Sequence, residues 1–532
     1  MTSAQAAEDV VVDRPQKSAT SLAWWRRLIV AGRLFVGLRL HDFRAARAFM
    51  LLKFPGSSLP LRMLRFGRWV MRESLVTIPD AVRGVVWTQE LSRQPVWLAD
   101  GNPLANHPWQ TDPLAVLPDE VDTLVIGAGF TGASLAYHWS KHAPQERTLA
   151  VVEMDDPACG ASGRNAGTVV MGRYAAMVHS TLTKHWAKTR PKLSESQRDQ
   201  LARQFATVYA RAAYKNADLV EETIRREGFD CDYVRSGWVQ LRTASEQSWL
   251  DRSVEMAAET GCTDWSSLPP HEVAARCGAA TDYRAGFSRA AATFHPARWV
   301  WCLLQVALRS RNVRLFTRTK VLGVEDCGDF YAVRTSRGVI RARHVVNATE
   351  SYTALLHRHL HNFIAPVQSQ AAFGIGGPRE LRSGVSVSSN VAFFERREKG
   401  LLFGSDETPL PDRQAGRNRP SRFISAFVLG EMRRYFPAFD LRVTHEWSGT
   451  AGFTPDQYPV VGLLDGNRQY VIGGMCGSGT GVSFNSGRCI VNRILGREAD
   501  DDYPPEYFAP SRLLDPQRHA WPKLQTQESV AC

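Results

Sequence analysis

Apolar and polar positions change period several times along the chain, and each change marks an element. The stretch TLVIGAG from 123 opens as a continuous apolar run, the pattern of a strand covered on both faces. It breaks into the glycines of GAGFTG and resumes with helical spacing, so a strand, a glycine turn and a helix follow one another. A second buried strand is predicted in TLAVVEMDD from 148. Helical periods cover about 195–228, 244–260, 297–310, 421–436 and 480–496. Alternating segments punctuated by turn residues fill 313–349 and 364–405, with further strands up to 473. No internal repeat occurs, and no run of eighteen apolar residues predicts a membrane-spanning helix.

These elements divide 532 residues into more than one unit. The expected organisation is a basic N-terminal extension at 1–86 and an extended, Trp- and Pro-rich leader at 87–120. An α/β unit is assembled from 121–215, 293–357 and 443–497, and a second, α+β unit from 216–292 and 358–442. A polar C-terminal tail fills 498–532. Residues 1–20 are expected to be disordered. Of the net charge of +12, +8 falls within 1–86, where fourteen Arg or Lys face six Asp or Glu. A charge concentrated at one end suits an attachment segment, and no nucleic-acid partner is expected. Nine dispersed cysteines without a CxxC or metal-ligand spacing predict reduced thiols, a cytoplasmic setting and no metal site. The polar, acidic start gives no signal-peptide pattern.

The glycine turn carries the chemistry. Gly127, Gly129 and Gly132 form GxGxxG, with Phe130 and Thr131 between them. Such glycines allow a tight turn, close approach of the backbone to a pyrophosphate, and close helix–strand packing, and the helix N-terminus faces the phosphates. Glu153 stands twenty-one residues after Gly132, where a carboxylate accepts both hydroxyls of an adenosine ribose and excludes a 2′-phosphate. This leaves NAD and FAD open. Two further segments favour FAD. CGASGRNAG follows the acid, and Ala161, Ser162, Arg164, Asn165, Ala166 and Gly167 offer backbone donors and a cation. The second glycine cluster, VIGGMCGSGTGVSF at 471–484, brings Gly474, Gly477, Gly479 and Thr480 at the start of the last helix. A helix dipole there would stabilise negative charge on the pyrimidine end of a reduced flavin. The two glycine clusters would then hold opposite ends of one cofactor.

The stretches around GAGFTG and GASGRNAG, together with TFHPARWV (293–300), RARHVVNATESYTALL (341–356), THEWSGTAGFTPDQYPVVGLL and the last glycine loop, resemble the D-amino-acid oxidase-like family of FAD-dependent oxidoreductases. The likeness is nearest to the glycine/sarcosine oxidase and gamma-glutamylputrescine oxidase type and runs over about 87–497. It implies a Rossmann-like FAD-binding domain of the glutathione-reductase type interleaved with an α+β substrate domain on a mostly antiparallel sheet. It adds Ala348 and Thr349 to the cofactor site. It also implies oxidation of the C–N bond of an amine or amino acid by hydride transfer to flavin N5, with the imine then hydrolysed. The electrons go to oxygen, or to a quinone or carrier in a membrane-associated dehydrogenase; an inactive flavoprotein-like scaffold is the third reading.

Four positions depart from the family pattern. Gly449 stands where relatives tether FAD through cysteine, so the cofactor is expected to be non-covalent. Glu350 replaces a small or amide residue, Ser478 replaces histidine in the last loop, and Glu395 replaces arginine in the substrate hairpin FFERREKGLLFGSDE. No catalytic residue is assigned. Glu350, Cys476 and Ser478 are the candidates, and Glu395, Arg396 and Arg397 face substrate or, as the preferred reading, form a solvated strand edge. His295 and Arg298 read as a helix cap. Residues 22–73, rich in arginine and large apolar side chains, predict two or three short basic helices able to lie on an anionic membrane surface on the inner face, or to dock on the chain's own catalytic domain or a partner subunit.

Overall fold

The computed structural model describes residues 23–36, 47, 50, 51, 54, 56–105, 107, 116–171, 174–262, 264–357, 360, 361, 363–409, 415–466, 468–497 and 501–524. The expectation of disorder for 1–20 falls outside them, as do parts of 22–73 and of the tail.

Two sheets organise the described residues. The first has the order Val321–Asp326, Tyr331–Thr335, Val339–Asn347, Glu120–Ile126, Leu149–Val152 and Val313–Phe316, with Val460–Asp465 and Gln469–Gly473 attached beside Val339–Asn347. Its centre is parallel: Glu120–Ile126 lies between Leu149–Val152 and Val339–Asn347, and Gln469–Gly473 also runs parallel to the latter. The burial of every residue of Leu149–Val152 explains its unbroken apolar sequence. Helices Phe130–His142, Pro296–Ala307 and Gly479–Ile494 cover one face. Glu195–Glu227 lies beyond them. A capping box of Ser194 and Gln197 starts that helix, and Gly228, at φ 67°, ends it.

The second sheet has nine strands, in the order Val85–Ser92, Leu441–Phe453, Ala365–Gly376, Gly400–Pro409, Ala392–Arg397, Ser386–Ser388, Trp238–Gln240, Ala285–Ser288 and Trp265–Leu268. Most neighbours are antiparallel; Val85–Ser92 with Leu441–Phe453 and Ser386–Ser388 with Trp238–Gln240 are the parallel pairs. Residues 443–453, grouped with the α/β unit on sequence grounds, thus run in this sheet as part of Leu441–Phe453. The front of the leader forms its edge strand.

The nine-stranded sheet is covered on both faces. On one, helix Arg422–Arg433 packs Val428, Leu429 and Met432 against Phe394 and Phe403. On the other, Ala371, Phe373, Leu402 and Trp447 join the large core that also contains the helices of the first sheet. The two units therefore share one continuous apolar interior, in which each fully buried Leu- or Phe-sized side chain contributes about 1.5–3 kcal/mol.

The described part of the tail, 501–524, is packed on the body. Tyr503 and Phe508 are fully buried. Arg512 reaches the equally buried Asp456 through Nε (2.8 Å) and Nη2 (3.2 Å), and Nη2 also donates to Tyr458 O at 2.6 Å. Asp456 belongs to the turn TPDQYP, whose Thr454 hydroxyl bonds both Tyr458 N and Tyr458 O. A polar tail sequence concealed this because its charged residue is paired with an acid fifty-six positions earlier. Arg512→Ala leaves Asp456 buried without its cation and is expected to cost about 3 kcal/mol. Denaturant unfolding measures it; an unchanged midpoint would show that the tail does not support this turn.

Candidate functional site

The strand Glu120–Ile126 ends at Gly127, whose φ of 105° no side-chain-bearing residue adopts easily. Its amide donates to Val152 O at 2.8 Å, which ties the turn to the next strand. A Cβ on Gly129 would lie 2.7 Å from Ser162 Oγ, and one on Gly132 would lie 1.8 Å from Gly127 O. The helix Phe130–His142 begins there, and Phe130 N donates to Ser162 Oγ at 2.8 Å. Glu153 Oε2 accepts from Ala128 N at 2.8 Å, and Oε1 from Asp155 N at 3.0 Å. The acid thus holds the glycine turn in shape. Burial raises its pKa, against the pull of these amide contacts.

The next loop is bound to the second sheet. Arg164 Nε donates to Cys159 O (2.8 Å) and Nη1 to Ser448 O (3.1 Å), while Trp447 Nε1 donates to Arg164 O at 3.0 Å. Asn165 folds back onto Ala161 O and Ser162 O and accepts from Gly167 N at 2.7 Å. Trp97 Nε1, from the leader, donates to Asn165 O at 2.8 Å. Ala166 lies half-buried between them. In this arrangement Arg164 spans the two units. A Cβ at Gly449 would sit 2.9 Å from Arg164 Cβ, so a cysteine there has no room beside this arginine.

The second glycine cluster meets the first through helix packing. Ser134 Oγ donates to Phe484 O at 2.7 Å, and a Cβ on Gly487 would stand 2.4 Å from Ser134 Oγ. Thr480 Oγ1 donates to Thr168 O at 2.7 Å, joining the last helix to the chain just after Gly167. Asn216, fully buried in helix Glu195–Glu227, donates to Thr480 O and accepts from Phe484 N and Asn485 N. Sequence reasoning passed over Asn216, although an amide on the apolar face of a long helix was a signal that a polar partner sits opposite.

Gly474 and Gly477 have φ of 61° and 81°, and Cys476 lies between them at 50°. The Cys476 thiol is 3.6 Å from Thr454 Oγ1, and burial pushes its pKa up to about 12, so it stays protonated. Ser478 is buried at the start of helix Gly479–Ile494. Ala348 N donates to Ile126 O at 3.0 Å, placing Ala348 and Thr349 against Gly127.

Glu350 follows in a left-handed conformation, φ 52°, with Oε1 accepting from Gly452 N (2.9 Å) and Met475 N (3.1 Å). Its carboxyl braces the base of the last loop. Burial raises its pKa from the ordinary 4.5 to about 7.

Of the hairpin residues read as a solvated edge, Glu395 is buried and Arg396 and Arg397 are half-buried. Glu395 is 2% exposed, because alternate residues of Ala392–Arg397 face one core or the other. Arg397 Nε lies 2.8 Å from Glu395 Oε1 as an ion pair, but without a well-directed hydrogen bond to either carboxylate oxygen. Arg397 Nη2 donates to Gly167 O and Phe294 O, both at 3.2 Å, and its guanidinium lies over Trp97. Burial raises the Glu395 pKa, against the pull of Arg397. His295 caps its helix, accepting from Arg298 N at 3.1 Å through Nδ1. Among the described residues, Asp155, Asp156 and Cys159 come close enough to share an ion, but Arg318 already pairs with both acids at 2.6 and 2.7 Å.

Residues 122–493 match the family described as FAD dependent oxidoreductase, DAO. The chain belongs to this family. It is an FAD-dependent enzyme, and the glycine cradle at Gly129, open only while no side chain is present, fits a dinucleotide. The probable oxidoreductase OrdL of Rhizobium meliloti (strain 1021) is 24% identical over 397 residues, 72% of this chain and 85% of that one. Glycine oxidase from Geobacillus kaustophilus shares the fold with a TM-score of 0.59 at 19% identity, over 73% of this chain and 98% of that one. L-proline dehydrogenase from P. horikoshii does so with 0.61 at 19%, over 74% and 98%.

Gly129→Val is expected to give a folded chain without FAD, because its branched side chain fills the space before Ser162. The flavin-to-protein absorbance ratio reads this out, and full retention would refute the placement. Glu350 gives a pH prediction. Its folded pKa is raised, so its contribution to stability is present below pH 4.5 and lost as pH rises through about 7. Glu350→Gln should flatten that fall, which is on the order of 3 kcal/mol. Equal pH profiles for the two proteins would contradict the burial of a titrating carboxyl here.

Proposed function

We propose that the enzyme oxidises the C–N bond of an amine or amino acid. The observation that carries this reading is the buried Glu395–Arg397 pair, which touches the 165–167 loop from the second sheet. A carboxylate beside a guanidinium is complementary to the ammonium of an amine, and to both charges of an amino acid. The names of similar proteins, glycine oxidase and L-proline dehydrogenase, support the same class.

FAD, held non-covalently, supplies the acceptor for a hydride. In this reading Glu395 orients the substrate nitrogen and takes up part of its charge, while the apolar walls around Trp97, Phe294 and Trp447 exclude water. The α-carbon loses a hydride and the nitrogen a proton. The resulting imine adds water to give a carbonyl compound and the free amine or ammonia. Oxygen takes the electrons and leaves as hydrogen peroxide. The second reading passes them to a quinone or a carrier at a membrane, and it is favoured by the exposed apolar faces of the N-terminal helices.

Anaerobic mixing with a panel of amines and D- and L-amino acids tests the class: the substrate bleaches the flavin, and a panel with no response contradicts the reading. Peroxide release in air separates oxygen from the alternative acceptors. With the best substrate, Glu395→Gln should lower kcat/KM by about 10- to 100-fold while FAD is retained. Unchanged kinetics would remove Glu395 from the substrate site.

A further inference from the structure

Helices that lie on a protein body turn their apolar side inward. The two N-terminal helices do so with part of their apolar surface, Val30 and Ala31 on one and Phe66, Trp69 and Val70 on the other, and leave further large apolar side chains exposed. Trp24–Val36 faces inward with Arg27, Val30 and the buried Ala31. Arg27 forms a two-pronged pair with Asp80, at 3.0 and 3.1 Å, and donates to Val76 O at 3.1 Å. On the outward arc stand Trp25, Ile29 and Val36, four and seven residues apart, with Trp24 beside them. Val36 is 88% exposed, Trp24 68% and Trp25 57%.

Leu59–Arg72 repeats the arrangement. None of its residues is buried. Leu64 and Met71, seven residues apart, share its outward side, with Leu64 70% exposed, and Leu59 and Met63 are exposed as well. Arg65, Arg68 and Arg72 run along one flank at three- and four-residue spacing, and Arg26 and Arg33, seven residues apart, do so on the first helix. Neither helix contains Asp or Glu.

Both helices are fixed to one platform. Leu59–Arg72 continues into the wider turn Glu73–Thr77 and the short helix Ile78–Ala81. Ile78 packs on Ala426 of helix Arg422–Arg433, whose Arg433 Nε donates to Ala81 O at 2.8 Å. The outward faces are therefore held on the substrate-sheet side of the enzyme, away from the parallel sheet.

We infer that this double face docks on an anionic lipid bilayer, with Trp25, Ile29, Met63 and Leu64 entering the headgroup–acyl boundary and the flanking arginines contacting acidic headgroups. An apolar arc bordered by guanidiniums is the composition of a helix that lies in the interface plane, and tryptophan concentrates at that depth. A second copy of the chain is the poorer occupant, because two such faces would bring arginines against arginines without an acid between them. Among the described residues no helix is long and apolar enough to cross a membrane, and the proposed contact is a peripheral one. The inference goes beyond the proposed reaction and holds for any electron acceptor.

Flotation of the full-length, FAD-loaded protein tests it, with vesicles of phosphatidylcholine alone and of phosphatidylcholine with an equal part of phosphatidylglycerol. The protein should float with the anionic vesicles at low salt and at least about tenfold less with the neutral ones. The double variant Trp25→Glu/Leu64→Glu should lower anionic binding by about tenfold or more while its flavin spectrum is unchanged, since both side chains are exposed. Equal flotation of variant and wild type overturns the inference, as does wild-type protein left unbound by anionic vesicles. A dimer in light scattering that the variant converts to monomer, with vesicle binding unaltered, overturns it in favour of a second copy.

Discussion

The approach of two helices at a single glycine underlies the rest of the architecture. Gly487 has no side chain, so helix Gly479–Ile494 comes down onto Ser134 of helix Phe130–His142. The two glycine clusters, separated by more than three hundred residues, are thereby brought into one neighbourhood. Asn216 fixes the last helix from the other side, accepting from the amides of Phe484 and Asn485 and donating to Thr480 O. The loop at 159–167 closes the arrangement, because Arg164 and Trp447 tie it to the second sheet through hydrogen bonds in both directions. Cofactor cradle and substrate sheet are thus positioned by the same few contacts.

Much of this is legible in the sequence wherever a local rule acts alone. GAGFTG between an apolar run and a helical period, with Glu153 beyond it, specifies its geometry through backbone sterics, and the structure shows those steric limits at Gly129 and Gly132. The long helix at 195–227 is equally plain, since its capping box and terminal glycine are local signals. What is obscured is which neighbour a residue faces. Glu395 and Arg397 sit in FFERRE, where a charged run reads as surface. Both faces of that strand are covered, and only the register with Gly400–Pro409 and the pairing within the hairpin make the acid tolerable. Arg512 is concealed in the same way, since its partner Asp456 comes from another part of the chain.

Three carboxyls whose pKa burial raises stand at these loops and the hairpin. Glu153 and Glu350 are each held by backbone amides, one under the first glycine turn and one under the last loop. Glu350 adopts a left-handed backbone that costs a non-glycine residue about 1–2 kcal/mol, and its two amide contacts offset that cost. Glu395 differs in having a guanidinium rather than amides beside it. Two acids therefore shape loops, while the third is paired with a guanidinium inside the hairpin. That difference explains why Glu350, which sequence comparison singles out, is braced against backbone, whereas the acid in the hairpin faces the junction of the two units.

The central claim is that two distant glycine loops and the 159–167 segment form one FAD site, and the cofactor content of the purified full-length chain tests it most directly. Flavin released by denaturation should amount to about one FAD per chain, as one dinucleotide fold binding one dinucleotide requires. The stripped protein should take FAD back with the same stoichiometry in a calorimetric titration. A folded chain that is colourless as purified and shows no heat of binding with FAD would contradict the account.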